Sequence, residues 1–273
     1  MGFTHIYGTS KVRNEVEMKL MILGSGTCVP TAHRRSPGYF VDLDGSKLLF
    51  DSGSGTLFTL AQQGINYAEL DGVFYTHFHL DHTLDLLTLL FALTNDHTCA
   101  RTTELTIYGP VGMQAFVDNF YKLFDSWIKP KKVAVLVREL RQDDQIIFDN
   151  GTVKAYRVPH METSLGYRIT SQLGKVMVLS GDTGYGKEVV DLARDADLAI
   201  FECAFSEEWA EKVPHVKHLT PTMAGKLAQQ AMVKTLVLTH IYPDTDKIPL
   251  LERCKKEFAG DVTIAQDLMV FEI

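Results

Sequence analysis

The chain has only four cysteines, Cys28, Cys99, Cys203 and Cys254, all far apart. No Cys-x-x-Cys pair occurs, which excludes a cysteine-built zinc site or dithiol redox centre of that spacing; reduced, small core thiols are expected, with Cys203 at a pocket floor. Positive charge is also short. The 27 Lys and Arg face 34 Asp and Glu, a net charge of -7, so there is no bulk attraction to a polyanion. The single basic patch, Lys129-Pro130-Lys131-Lys132, reads as a solvated turn. No stretch reaches the roughly 18 uninterrupted apolar residues that a bilayer requires, and the polar N-terminal segment lacks the apolar core of a secretory signal. A cytoplasmic protein with no membrane partner is expected. Low-complexity linkers, charge blocks and repeats are missing too, so residues 19–273 should form a single domain, with 1–18 an N-terminal extension.

What is present alternates strand and helix. The 45% hydrophobic content of 273 residues can bury a large core. Strands are expected at Lys19 to Leu23, Gly38 to Leu43 and Lys47 to Phe50. A helix from Thr56 to Gln63 is stopped by Gly64. Further helices are expected at Thr83 to Leu93, Val111 to Phe124, Lys187 to Arg194, Pro221 to Met232 and Pro249 to Phe258. The fourth carries Thr220 as N-cap and Pro221 at its first position.

The densest chemistry lies in Thr76-His77-Phe78-His79-Leu80-Asp81-His82, three imidazoles and a carboxylate just after the apolar run Gly72-Val73-Phe74-Tyr75. On extended backbone His77 and His79 share a face and can grip one ion, while Asp81 and His82 point elsewhere. Two metals are the natural reading. Three more buried-strand patterns end in metal-type residues: Val153 to Val158 before His160, Val176 to Leu179 before Asp182, and Thr235 to Leu238 before His240. Sites in layered α/β proteins gather at that edge.

On these residues the chain resembles the metallo-β-lactamase superfamily, whose mark is His-x-His-x-Asp-His followed by a distant His, an Asp and a last His. The resemblance implies a four-layered αβ/βα sandwich of class α/β. It also implies that one metal takes His77, His79 and His160, a second takes Asp81, His82 and His240, and Asp182 bridges them. Two divalent ions are expected, zinc first, with manganese or iron acceptable to the same donors.

Within the superfamily the chain is most similar to the ribonuclease Z group, through Leu23 to Pro30, Leu49 to Thr56, Ser180 to Thr183 and Glu202 to Phe205. Two departures stand out. The interval from His160 to Asp182 is too short for the arm that grips transfer RNA, and Phe201 precedes Glu202 where long-form enzymes carry a histidine, whereas His218 matches that of the short forms. Structured RNA is therefore not the expected partner.

The leading expectation is a phosphodiesterase acting on small phosphodiesters through a metal-bound hydroxide. Asp81 would orient the nucleophile, and His218 with Glu202 would form a proton relay. Phe205, Tyr185 and Trp127 are the expected substrate-binding residues, Trp127 within an apolar wall formed with Phe124 and Ile128. The alternatives are a lactonase or carboxylic-ester hydrolase polarising its carbonyl with Tyr185, and a ribonuclease Z-type RNA endonuclease. Asp51 is a candidate acceptor for a ligand imidazole. The family resemblance further implies a homodimer.

Overall fold

The computed structural model describes residues 17–212 and 215–273. Of the expected extension, residues 1–16 lie outside the described residues. Met18 belongs instead to the first strand, where it is fully buried and pairs with Leu43.

Two seven-stranded sheets form the frame. The first, in the order β14-β1-β2-β3-β4-β5-β6, comprises β1 (Met18–Gly24), β2 (Gly38–Leu43), β3 (Ser46–Ser52), β4 (Gly72–Phe74), β5 (Leu105–Pro110), β6 (Val135–Leu140) and β14 (Val270–Glu272). The second, in the order β13-β12-β11-β10-β9-β8-β7, comprises β7 (Gln145–Phe148), β8 (Gly151–Arg157), β9 (Leu165–Ser171), β10 (Val176–Leu179), β11 (Leu198–Glu202), β12 (Thr235–Thr239) and β13 (Asp261–Ile264). Each sheet is antiparallel in one half and parallel in the other.

The parallel halves need crossovers, which helices supply. Helices α1 (Thr56–Gln62), α2 (Leu80–Asn95) and α3 (Met113–Phe124) serve the first sheet; α4 (Lys187–Ala193), α5 (Glu207–Lys212), α6 (Pro221–Gln230) and α7 (Leu250–Lys255) serve the second. Thr220 caps α6 as expected, its hydroxyl accepting from the Met223 amide at 3.2 Å. Gly64, at φ +71°, follows α1 and stops it.

Successive strand residues point to opposite faces, and both faces of both sheets are apolar. Phe50, Phe74, Tyr167 and Leu179 fill the layer between the sheets. Leu49, Val73 and Ile107 pack outward with Leu86 and Leu90 of α2. Val178, Ala199 and Leu238 pack against Leu192, Ala224 and Leu227 on the other side. The result is the four-layered αβ/βα sandwich. Cys203 and Cys254 sit in this last layer; Cys203 is core rather than pocket floor, and Cys28 is exposed. Between His160 and Asp182 the chain spends its residues on β9 and β10, with no projecting arm. Among the described residues no helix is long and apolar enough to cross a membrane.

Candidate metal centre

Parallel strands bring their carboxyl ends to one edge, where ligands bind in open α/β sheets. Here β3 delivers Asp51, β4 leads into Thr76 to His82, β10 into Asp182 and β12 into His240, while β11 ends on Glu202. Helix α2 begins at Leu80 rather than Thr83, so Asp81 and His82 occupy its first turn and are not on extended backbone. A carboxylate there is favoured by the helix dipole. Asp51 and His240 both adopt left-handed backbone, φ +53° and +55°, a strain of about 1–3 kcal/mol each that the surrounding structure must hold in place.

Besides an overlapping trio of Asp182, His218 and His240, the residues converge in two groups, His77, His79, His160 and Asp182, and Asp81, His82 and His240, each of the three sets with its ligand-type atoms within 4.8 Å of one another. Asp182 faces both. Its Oδ2 lies 3.6 Å from His77 Nε2 and 3.9 Å from His160 Nε2, and its Oδ1 lies 3.2 Å from His82 Nε2 and 3.5 Å from His240 Nε2. Asp81 Oδ2 is 3.4 Å from His240 Nε2.

Hydrogen bonds around the groups fix which nitrogens are free. His82 Nδ1 donates to Asp51 Oδ2 at 2.8 Å. His160 Nδ1 donates to the Lys217 carbonyl at 2.9 Å. Thr76 gives its hydroxyl hydrogen to Asp51 at 2.9 Å and therefore accepts from His77 Nδ1, also at 2.9 Å. Each of the three imidazoles thus commits Nδ1–H outside the site and turns Nε2 inward, the atom that a metal ligand of this orientation offers once its proton is displaced.

The inward atoms have no protein donors to satisfy them. His77 Nε2 and Asp182 Oδ1 are buried without a hydrogen-bond partner. His82 Nε2 faces His240 Nε2, and His160 Nε2 faces His79 Nδ1, each at 3.3 Å, so each pair must share a proton or a cation between its two nitrogens. The electrostatics agree. Burial opposes charge on His82, but Asp182 and Asp51 outweigh it and hold its pKa well above the ordinary value. Burial likewise opposes the Asp182 carboxylate, yet His240, His82 and His77 keep its pKa well below the usual range. His77 shifts the other way, well below normal, chiefly through burial. Carboxylates that draw protons onto buried imidazoles would equally draw cations, so the donor set fits a pair of divalent ions.

His218 stands beside these groups, its ring 5.0 Å from that of His160 and 5.9 Å from that of His240. Its Nδ1 donates to Glu202 Oε1 at 2.6 Å. Burial disfavours its charge, but the Glu202 carboxylate prevails and pushes its pKa up to about 9. Glu202 is fully engaged: Oε1 also accepts from the Thr183 amide, and Oε2 from those of Ala204 and Leu219, at 2.9, 3.0 and 3.2 Å.

Two expected residues lie elsewhere. Tyr185 is half exposed, and its hydroxyl accepts from Gln230 Nε2 at 3.1 Å, so it is anchored to α6 rather than aimed at the His and Asp groups. Trp127 is 73% exposed and, with Phe124 and the buried Ile128, does form an apolar wall, but that wall lines a separate groove with Leu87 and Phe91. Phe205 does reach the site, its ring 4.9 Å from that of His218. The sequence reading missed Thr76, which holds Asp51 and His77 together, and Gly53. A Cβ at Gly53 would fall 1.9 Å from the Asp81 carbonyl oxygen, so Gly53 is what lets the first turn of α2 approach the end of β3.

The chain belongs to the β-lactamase superfamily: residues 46–241 match the family model described as Beta-lactamase superfamily domain. It is a metal-dependent hydrolase. Among curated proteins it is similar to ribonuclease Z of Archaeoglobus fulgidus, 28% identical over 307 aligned residues that cover 93% of this chain and 97% of the relative. That aligned length exceeds the 273 residues of this chain, so the relative carries segments this one lacks. Among solved structures it is similar to the metallo-β-lactamase fold protein YhfI of Bacillus subtilis, with 27% identity, TM-score 0.78 and coverage of 94% of this chain and 99% of that one. The short form of human tRNase Z gives 25% identity, TM-score 0.76 and coverage of 93% and 98%.

Proposed function

We propose that this protein is a dinuclear metal-dependent phosphodiesterase acting on small phosphodiesters. In this reading His77, His79 and His160 hold one divalent ion, Asp81, His82 and His240 hold the second, and Asp182 turns one carboxylate oxygen to each. Bound there, two such ions bring the pKa of a water toward neutrality and offset charge on the attacked phosphoryl group. Histidine and aspartate donors suit zinc, manganese or iron.

The observation that carries the reading is the His218–Glu202 pair at the rim of both groups. With Nδ1–H committed to Glu202, His218 presents Nε2 to the reacting centre. Once the attacking water has released one proton to solvent, its oxygen would bond to phosphorus, the bond to the leaving oxygen would break, and His218 Nε2–H would give its proton to that oxygen and be reprotonated from solvent afterwards. Glu202, tied to three backbone amides, positions the ring and does not itself exchange protons with substrate. In the same reading Asp81, whose Oδ2 is 3.4 Å from His240 Nε2, orients the attacking water.

The names of the relatives support phosphodiester chemistry, since a ribonuclease cleaves such bonds. They also favour a second reading, RNA endonuclease. The hairpin that fills the interval between His160 and Asp182, together with the net charge of -7, favours the smaller substrate. The test is to supply metal-loaded protein with bis(p-nitrophenyl) phosphate, a 2′,3′-cyclic nucleotide, a 3′-extended precursor transfer RNA and an acyl-homoserine lactone. Turnover of the small diesters with poor RNA cleavage is expected. Efficient processing of the RNA at moderate salt would favour the second reading, and faster turnover of the lactone than of any diester would overturn both.

A further inference from the structure

Next to the His218–Glu202 pair the fold opens a cavity of about 400 Å³ whose walls are mostly apolar. Val29 lines it from the loop after β1, Phe205 from the segment between β11 and α5, Trp209 from α5, Val216 from the loop before α6, and Tyr242 and Asp244 from the segment after β12. The cavity and the candidate metal centre share walls. Phe205 meets His218 edge-on at 4.9 Å and Tyr242 at 6.0 Å, and Tyr242 stands perpendicular to His240 at 6.2 Å. Trp209 continues the aromatic wall 6.5 Å beyond Phe205. Its helix is braced from α7 by Arg253, which pairs with Glu207 and with Glu208.

We propose that this cavity seats a planar aromatic group carried on the leaving oxygen, so that the substrates are small phosphodiesters with an aryl- or nucleobase-like ring beside the bond that is cleaved. The inference rests on the phosphodiesterase reading and narrows it. Three features of the cavity select the group. Its three aromatic walls offer the offset and edge-on contacts that rings prefer. Among the described residues no Lys or Arg lines the cavity, so these walls offer a phosphoryl group no cationic partner and leave it to the His and Asp groups. Phe205 connects the cavity wall to the His218 ring at 4.9 Å, so a group in the cavity lies on the His218 side of the site and is joined to the oxygen that His218 protonates. The volume lies within the range of pockets that take small organic ligands.

The test uses the fluorescence of Trp209. The chain has two tryptophans, and Trp127 lines a different groove, so Trp127→Phe leaves Trp209 as the sole emitter. In metal-loaded protein, 4-nitrophenylphosphonate is expected to quench this emission, with an apparent Kd at least about tenfold below the constants at which methylphosphonate and hexylphosphonate displace it. Filling the cavity by Val216→Phe should weaken the aromatic ligand about tenfold and leave methylphosphonate unchanged. In turnover, Trp209→Ala should raise KM for bis(p-nitrophenyl) phosphate about tenfold with kcat held within about threefold, and Trp209→Phe should restore it. Equal binding of the methyl and nitrophenyl ligands overturns the aromatic seat, and hexylphosphonate binding as tightly as the ring overturns its selectivity for planar groups. Diester turnover without discrimination refutes the cavity inference alone. Ring-selective quenching with no diester turnover instead refutes the phosphodiesterase reading and leaves the aromatic seat standing.

Discussion

Replacing Asp51 by Asn probes how the protein sets the charge of one candidate ligand without touching the ligand itself. The Asp51 carboxylate is fully buried and accepts from the Thr76 amide at 2.8 Å, the Thr76 hydroxyl at 2.9 Å and His82 Nδ1 at 2.8 Å. Asparagine is nearly isosteric and tolerates the left-handed backbone at this position, so the fold should survive. One oxygen becomes an NH₂, however. If the amide oxygen keeps the Thr76 amide, the NH₂ points at His82 Nδ1–H and donor meets donor. His82 then escapes the clash by moving its proton to Nε2, the atom that faces Asp182 and His240. The lost charge-assisted hydrogen bond is worth about 1.5–3 kcal/mol. Loss of an outer partner of a metal-binding histidine commonly weakens affinity about 10- to 100-fold, which is about 1.4–2.7 kcal/mol. The two estimates agree. Competition against a chromogenic chelator should show one of two zinc ions weakened by that factor and the other by less than about threefold. If Asp51→Asn binds both ions within twofold of wild type, Asp51 does not set the state of His82 and the tautomer reasoning is wrong.

Other predictions follow from the same geometry. His218→Ala should lower kcat on a phosphodiester by about 10²- to 10⁴-fold with metal content unchanged, as checked by elemental analysis. A proton donor must be protonated to act, so the wild-type rate should hold below the His218 pKa of about 9 and fall above it; that alkaline limb should vanish in the variant's pH–rate profile. Asp182→Ala should deplete both ions, because its two oxygens face different groups, whereas His160→Ala should mainly weaken one; full occupancy in both variants would remove the ligand assignment. Gly53→Ala drives a Cβ into the Asp81 carbonyl oxygen and should destabilise the fold by about 1–3 kcal/mol or more, seen as a lowered Tm together with reduced metal uptake.

The ligand set was legible in the sequence because it lies at the ends of apolar strands, and the strand pattern carries its own address. Four donors fall within six residues, and His160, Asp182 and His240 each follow a short buried run. The start of α2 was not legible. Its first turn is polar, with Asp81 and His82 turned to the site, so the apolar period shows only from Thr83 onward. The edge strands β6 and β7 escaped because they mix polar and apolar residues in short, half-exposed runs, as in Val135 to Leu140. Trp127 and Phe205 are both aromatic residues near chain turns, and composition does not say which one faces the site. That depends on how α2 and β11 are oriented in the sandwich. The aromatic cavity is drawn from positions between 29 and 245, with no shared spacing to betray it. The left-handed backbone of Asp51 and His240 has no signature at all in residue type beyond the tolerance of Asp for that conformation.

The division of donors between the two halves of the sandwich has a consequence for biosynthesis. The first sheet's half supplies His77, His79, Asp81 and His82, and the second supplies His160, Asp182 and His240. Neither half contains all the donors of either proposed ion site, although the overlapping trio Asp182, His218 and His240 comes wholly from the second. On a ribosome making the chain from its N-terminus, the histidine-rich run emerges long before its partners, and the second group stays open until the end of β12 has been made and docked. Under the proposed assignment, tight metal capture would therefore be among the last events of folding, and a nascent or truncated chain would compete poorly for the cell's metal pool. Holding the ions would then be a property acquired only once the chain has been made through His240 and the two sheets have met, and metal retention would serve as an assay of that docking.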